Sequence, residues 1–288
     1  MTGKEEFMAR VMWSGTVRAL PLREQARATR IAGCSTLSVT PFSYALWQTS
    51  GLSTREMLAI VSDEGVRLNH LEPITRWHSS WLPKGLDPAI CPPGLIGFDM
   101  DDFFRIADAL EIDNISAMVS GDADDSGLDA MADNFAVLCE RATRQGVRCD
   151  LEFVPMWGLP DLASAWYVLE RAGSANCGLI FDTWHYLRGR QDPELLASIP
   201  GDRISHVQIA DGAATPVGGD LLIDCLAHRC LPGEGDLPIE DVLQQLAAIG
   251  GLNSVGLEVF SARLDTMNSQ EIGRACLDSF ERVGLSSL

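Results

Sequence analysis

The chain has no surplus of basic residues: 22 Lys and Arg stand against 40 Asp and Glu, for a net charge of −18. Phosphate affinity comes from neutralising charge with Lys and Arg, so this balance argues against a general nucleic-acid or anionic-membrane binder. No apolar run approaches the roughly 18 to 20 residues that cross a bilayer. The N-terminal Met-Thr-Gly-Lys-Glu-Glu-Phe is charged where a signal peptide would turn apolar, so a reduced, cytoplasmic location is the expectation. The eight cysteines contain no Cys-x-x-Cys pair. Cys225-Leu-Ala-His-Arg-Cys230 lacks the second ligand pair of a structural zinc site, which leaves the cysteines as small core residues. No low-complexity tract, charge block or Pro/Gly-rich linker divides the 288 residues, and residues 1–288 are read as one domain.

What is present is a repeating alternation of short β-branched runs and amphipathic stretches. The runs predict strands over Met8–Trp13, Thr36–Thr40, Val66–Leu71, Asn114–Val119, Cys149–Val154, Gly178–Asp182, Ile204–Ile209 and Val255–Phe260. Helical spacing predicts helices over Leu22–Ile31, Thr54–Asp63, Met100–Leu110, Asp129–Thr143, Pro160–Ala172, Pro238–Ile249 and Asn268–Glu281. Ser53-Thr54 suits a helix start, and Gly146 and Gly250 suit helix ends. Eight strands alternating with helices fit a closed (β/α)8 TIM barrel, in the α/β class, better than an open sheet. A doubly wound fold would carry a glycine-rich turn after its first strand, and none is present. The two longest connections, Ile74–Phe98 and Asp211–Leu237, are long enough to cover or line the barrel mouth.

Barrel chemistry sits at the C-terminal strand ends. Four consecutive runs carry a polar group there: Glu152 in Cys149-Asp-Leu-Glu152, Asp182 in Gly178-Leu-Ile-Phe-Asp182, Gln208 in His206-Val-Gln208 and Glu258 in Val255-Gly-Leu-Glu258. Each alone also fits a strand-end residue bonding to loop amides. A carboxylate inside an apolar run is costly to bury unpaired, and four such groups together point to one shared site. Oxygen ligands of this kind suit one hard divalent cation, Mn²⁺ or Mg²⁺, and tolerate Co²⁺ or Zn²⁺.

At these residues the sequence resembles the xylose isomerase-like TIM barrels. Glu152, Asp182-Thr-Trp-His185, His206-Val-Gln208, Leu231-Pro-Gly-Glu-Gly-Asp236 and Glu258 carry the resemblance, which runs from about Cys149 to Phe260. In motif the chain is nearest to hydroxypyruvate isomerase, ketose epimerases and 3-dehydroshikimate dehydratases. The resemblance implies a single divalent metal held by four strand-end residues, which by position are Glu152, Asp182, Gln208 and Glu258. His206 and Gln208 face the same side of their strand, and Gln208 lies nearer the mouth. Gln208 is therefore the expected ligand, with His206 one layer deeper as a supporting or substrate-binding group. The resemblance also gives His185 a contact to a substrate oxygen. Where ketose 3-epimerases place an arginine, this chain has Ala214, and Arg229 is the nearest substitute. Arg229 is expected to orient the far end of a substrate, most strongly one that bears a carboxylate.

Such a site supports proton abstraction beside a carbonyl, through an enediolate, with Glu152 and Glu258 as catalytic base and acid. Returning the proton gives isomerisation or epimerisation, and expelling a β-hydroxyl gives dehydration. The first reading is a metal-dependent isomerase or epimerase of a sugar or related keto or hydroxy compound. A dehydratase of a cyclic keto acid or inosose, or a catalytically silent binding barrel, stands as the alternative. A repair nuclease is disfavoured, because three-metal sites need many histidines and the chain has five. Trp184, Trp157, Trp77 and Trp81, with His78, are placed to offer ring faces to a sugar or polyol, or simply to pack loops. His70 and Glu72 close the third strand and either reach the pocket, where Glu72 is expected to bind substrate, or take surface or supporting roles. Beyond a small-molecule substrate, a homodimer or homotetramer is expected, since the Ile74–Phe98 loop would otherwise expose Trp77, Trp81 and Leu82.

Overall fold

The computed structural model describes residues 9–79, 81, 97–121 and 127–285. Eight strands form in chain order: β1 (Ala9–Met12), β2 (Thr36–Val39), β3 (Arg67–Ile74), β4 (Asn114–Ala117), β5 (Arg148–Glu152), β6 (Leu179–Asp182), β7 (Ile204–Ile209) and β8 (Ser254–Leu257). Each pairs in parallel with the next and β8 returns to β1, closing the (β/α)8 TIM barrel. Parallel strands covered by helices are buried on both faces, which is why they read as nearly continuous apolar runs. The strands expected from the sequence all form, most of them a residue or two shorter. Met8, the expected start of the first, lies outside the described residues, as do Leu82 and most of the Ile74–Phe98 connection.

Seven amphipathic helices form close to their expected bounds, with Leu22–Ile31 and Thr54–Asp63 matching in full. The second opens on a reciprocal capping box between Ser53 and Glu56. Gly146 and Gly250 follow their helices at φ 70° and 72°. Shorter helices at Ser14–Val17, Pro41–Thr49, Thr183–Arg188, Pro193–Ser198 and Leu221–Ala227 were not expected. Thr183–Arg188 is the important one, because it starts at the residue after the end of β6.

Side-chain alternation sorts the strands into an outward set that packs under the helices and an inward set that fills the barrel. Leu37, Leu71, Ile115, Leu151, Phe181, Val207 and Leu257 belong to the large outer core. Inside, Val11, Trp13 and Ile180 form a small apolar cluster of their own. Gly256 makes room for it, since a Cβ there would stand 2.3 Å from the Val11 carbonyl and 2.7 Å from Trp13 Nε1. The other inward positions are mostly polar, and they build the site.

Candidate active site

Four strand ends and one helical turn converge at the mouth. Ligand atoms of Glu152, Asp182, His185 and Glu258 all lie within 4.8 Å of one another. Asp182 reaches this place through a local device: as the cap of the Thr183–Arg188 helix, its Oδ1 accepts the His185 backbone N–H at 3.0 Å. That bond turns the chain so that His185 Nε2 lies 3.6 Å from Glu152 Oε1 and 3.7 Å from Asp182 Oδ2. Gln208 joins from β7, its Nε2 donating to Glu258 Oε1 at 3.0 Å.

Arg229 occupies the centre of this cluster and not the far end of the pocket, where the sequence had suggested it. It is 1% exposed. Nη1 donates to Asp182 Oδ2 at 2.7 Å, to Glu258 Oε2 at 3.2 Å and to the Glu258 carbonyl at 3.1 Å. Nη2 meets Cys225 Sγ at 3.1 Å and His185 Nε2 at 3.4 Å, and Nε donates to the Cys225 carbonyl at 3.2 Å. A guanidinium has five N–H donors, and these contacts engage every nitrogen. Two short antiparallel bridges, Asp211 with Cys230 and His228 with Ser261, clamp the chain on either side of it.

Burial and mutual charge set the protonation of the cluster. Burial pushes the Glu152 and Glu258 carboxyls well above the usual carboxylate range, and neighbouring carboxylates add to it. Burial alone would raise Asp182 too, but the charges of Arg229 and His185, with hydrogen bonds to Glu258 and the His185 N–H, hold it at about 2. Burial lowers His185 to about 4, so its ring is neutral at pH 7. The cluster thus holds one firmly ionised carboxylate and two carboxyls poised to keep protons.

The donor set fits a divalent cation. Three carboxylates converge, and the Gln208 Oε1 carbonyl oxygen is buried with no hydrogen-bond partner. An orphaned carbonyl oxygen beside carboxylates lacks the partner that a hard cation would provide. Among the described residues this is the one group of His, Cys, Asp and Glu with such spacing, and Cys225, His228 and Cys230 form none.

Facing this half, Glu72 lies two residues before the end of β3. Its Oε1 accepts from Ser14 Oγ at 3.0 Å, from the Ser14 N–H at 3.4 Å and from Ser38 Oγ. Burial pushes Glu72 up to about 7, against the lowering effect of these donors. His206 instead lies a layer below, its Nε2 2.9 Å from His70 Nε2 on β3 and 3.7 Å from Asp150 Oδ2 on β5. Trp13 packs against both imidazoles. The contacts of His206 are with the barrel floor.

The tryptophans are mostly packing. Trp184 is fully buried, with the guanidinium carbons of Arg229 and Arg188 4.8 and 5.5 Å from its ring centroid. A ring so covered offers no face to a sugar. Trp77 is buried, donating Nε1 to the Met118 carbonyl at 2.9 Å, while Trp81 lies against Arg76 and Trp157 is half-buried. Trp77 therefore adds nothing to an exposed apolar patch of the kind that had suggested an oligomer.

Several residues had no role assigned from sequence. Asp211 accepts four backbone N–H groups, from Gly212, Gly233, Gly235 and Leu237, at 2.7 to 3.1 Å. Arg188 forms a buried pair with Asp224 at 3.0 Å and donates to the Ala213 carbonyl at 2.8 Å. Asp150, held by Arg148 and Ser205, supports the floor. An apolar run broken by an acid two residues before Glu152 was the one visible signal for Asp150.

A family model described as "Xylose isomerase-like TIM barrel" matches residues 96–280. The 3-dehydroshikimate dehydratase of Pseudomonas putida is 27% identical over 262 residues, covering 89% of this chain and 38% of that protein. The enzyme of the same name from Pseudomonas aeruginosa is 36% identical over 133 residues, 46% of this chain and 20% of the relative. The chain thus spans well under half the length of either dehydratase. An inosose isomerase from Bacillus velezensis is 28% identical over 148 residues, 51% of each chain. Among solved structures, an IolI protein with a bound zinc atom superposes with a TM-score of 0.81 at 16% identity, covering 98% of this chain and 99% of that one.

Proposed function

This chain belongs to the xylose isomerase-like TIM barrel family, and on that premise we propose that it is a divalent-metal-dependent dehydratase. It removes a proton from the carbon beside a carbonyl and expels the hydroxyl on the next carbon of a cyclic hydroxy ketone, with 3-dehydroshikimate as the first substrate to test. The observation that carries the reading is the buried cluster of Glu152, Asp182 and Glu258 beside the unpartnered Gln208 oxygen. The similarity to a 3-dehydroshikimate dehydratase along 89% of the chain supports dehydration as the reaction.

Glu152, Asp182, Gln208 and Glu258 would hold the cation. Bound there, it supplies Lewis-acid polarisation of the substrate carbonyl. Glu152 and Glu258 stand on strands separated by two others and reach the pocket from different sides. Burial gives both a high proton affinity, which suits one of them to take the carbon-bound proton. Arg229 keeps Asp182 ionised and offsets the negative charge of the cluster. His185, neutral and within 3.7 Å of two carboxylates, is placed to donate or accept at a substrate oxygen. Isomerisation is the second reading, favoured by the match to an inosose isomerase over half the chain.

Incubation with 3-dehydroshikimate or an inosose in D₂O tests both. Dehydration is expected to give a product lighter by one water, and isomerisation a product of equal mass with solvent deuterium beside the carbonyl. A metal-loaded protein that does neither, with no label in recovered substrate, overturns the enzymatic reading.

A further inference from the structure

In the closed barrel, β1–β3 stand across from the β5–β8 half that carries the carboxylate cluster. The acidic residue within strands β1–β3 is Glu72, 5% exposed. Among the described residues no Lys, Arg or His pairs with it. All its hydrogen bonds fall on Oε1, from the Ser14 hydroxyl and N–H and from the Ser38 hydroxyl. These contacts leave Oε2 as the oxygen open to carry a proton. Oε2 has no partner among the described residues. The charge of Glu72 in turn adds to the raised proton affinity of Glu152 and Glu258 across the pocket. Burial favours the protonated form of Glu72, against the lowering effect of its serine donors.

We propose that Glu72 is the catalytic acid of the elimination: its Oε2 hands a proton to the departing hydroxyl from the wall opposite the carboxylate cluster. The proposal rests on the dehydratase reading. A cluster carboxylate first takes the carbon-bound proton, leaving its electron pair as the enolate of the substrate carbonyl, and that pair then forms the new carbon–carbon π bond. The C–O bond breaks with its electron pair going to oxygen, which takes the Glu72 proton and leaves as water. Glu72 remains as a carboxylate held by Ser14 and Ser38 until solvent returns the proton.

The test compares metal-loaded wild type with Glu72→Gln and Glu72→Asp, using 3-dehydroshikimate in D₂O and difference infrared spectroscopy of the carboxylic-acid band near neutral pH. Glu72→Gln keeps the size and polarity of the side chain but cannot deliver the proton. It is expected to bind metal as wild type and to retain deuterium exchange beside the carbonyl. Dehydration should slow by about 100-fold or more, with part recovered in Glu72→Asp. The acid band should be present in wild type and absent in Glu72→Gln. Dehydration at the wild-type rate in Glu72→Gln, or loss of exchange and dehydration in equal measure, overturns the assignment. If wild type itself neither exchanges nor dehydrates, the dehydratase reading fails. The infrared result still decides for Glu72: a band lost in Glu72→Gln supports a proton-carrying acid, and no band in wild type overturns it.

Discussion

Arg229 Nη1 lies 2.7 Å from Asp182 Oδ2 with both side chains at 1% exposure or less, so the positive charge of the site is built into its floor. Removing one partner of a buried ion pair leaves the other uncompensated, at a cost of about 3–5 kcal/mol. Arg229→Gln is therefore expected to destabilise the metal-free protein by about that amount. A divalent cation replaces part of the missing charge, so the loss should be smaller with metal. Urea unfolding with and without added metal checks this. Equal losses in the two states would mean that Arg229 acts through packing against Trp184 and Phe260, not through charge.

Glu72 gives a pH dependence of definite sign. Its carboxyl is pushed by burial from an ordinary 4.5 to about 7 in the folded protein. The protonated form is favoured by folding, so its stabilising contribution is complete below pH 4.5 and is lost as pH rises through 7. The span corresponds to roughly 3 kcal/mol as an upper bound. The buried His185 works in the other direction: lowered from 6.5 to about 4, it weakens the fold as pH falls through that window. Glu72→Gln should remove the first dependence and leave the second. Melting temperatures from pH 4.5 to 8, compared between wild type and variant, are expected to converge at the acid end and to favour the variant at the alkaline end. A constant difference across that range would refute the assignment.

The barrel and the polar residues at its strand ends were legible because burial on both faces leaves a simple signal. A polar residue closing an apolar run of four to six residues has few reasons to be there. Asp182 and His185 were legible as a pair for a local reason, since a cap and the third residue of its helix lie close in sequence. Arg229 was visible as a residue but not as a position. It follows Gln208 by 21 residues within a long connection, and its direction depends on bridges to Asp211 and Ser261 that no local pattern encodes. The serine partners of Glu72 come from the short helix after β1 and from β2, and Ser14 and Ser38 look like ordinary polar residues until the barrel closes. Thr183–Arg188 escaped because one turn and a half, buried except at its last residue, has no polar face to show a period.

Asp211 should behave as the staple of the Asp211–Leu237 connection. Its two oxygens each accept two backbone N–H groups, and an amide offers only one oxygen for them. Asp211→Asn is expected to cost about 2–3 kcal/mol, the scale of a lost charge-assisted hydrogen bond. Because Asp211 also pairs with Cys230 beside Arg229, the variant should expose the connection. Limited proteolysis that newly cuts between residues 212 and 236 is the expected result. A cleavage pattern and urea midpoint like wild type would show the staple to be dispensable.

The last prediction separates Gln208 from the two histidines that compete with it. His185 lies among the carboxylates, within 3.7 Å of two of them, but Arg229 Nη2 already stands 3.4 Å from its Nε2. His206 is turned to His70 on the floor, below the level of the cluster. Gln208 alone brings a buried oxygen with no partner to the carboxylates. Oxygen suits a hard cation, and an unpaired buried oxygen has the most to gain from one. Metal content after loading and dialysis should therefore stay near one equivalent per chain in His206→Asn and His185→Gln. It should fall in Gln208→Ala, whose affinity is expected to drop at least about 10-fold, as even supporting residues of metal sites cost 10–100-fold when removed. Glu258→Gln should lose most of its metal as well. If His185→Gln empties the site while Gln208→Ala remains loaded, the histidine is the ligand and the glutamine only positions Glu258.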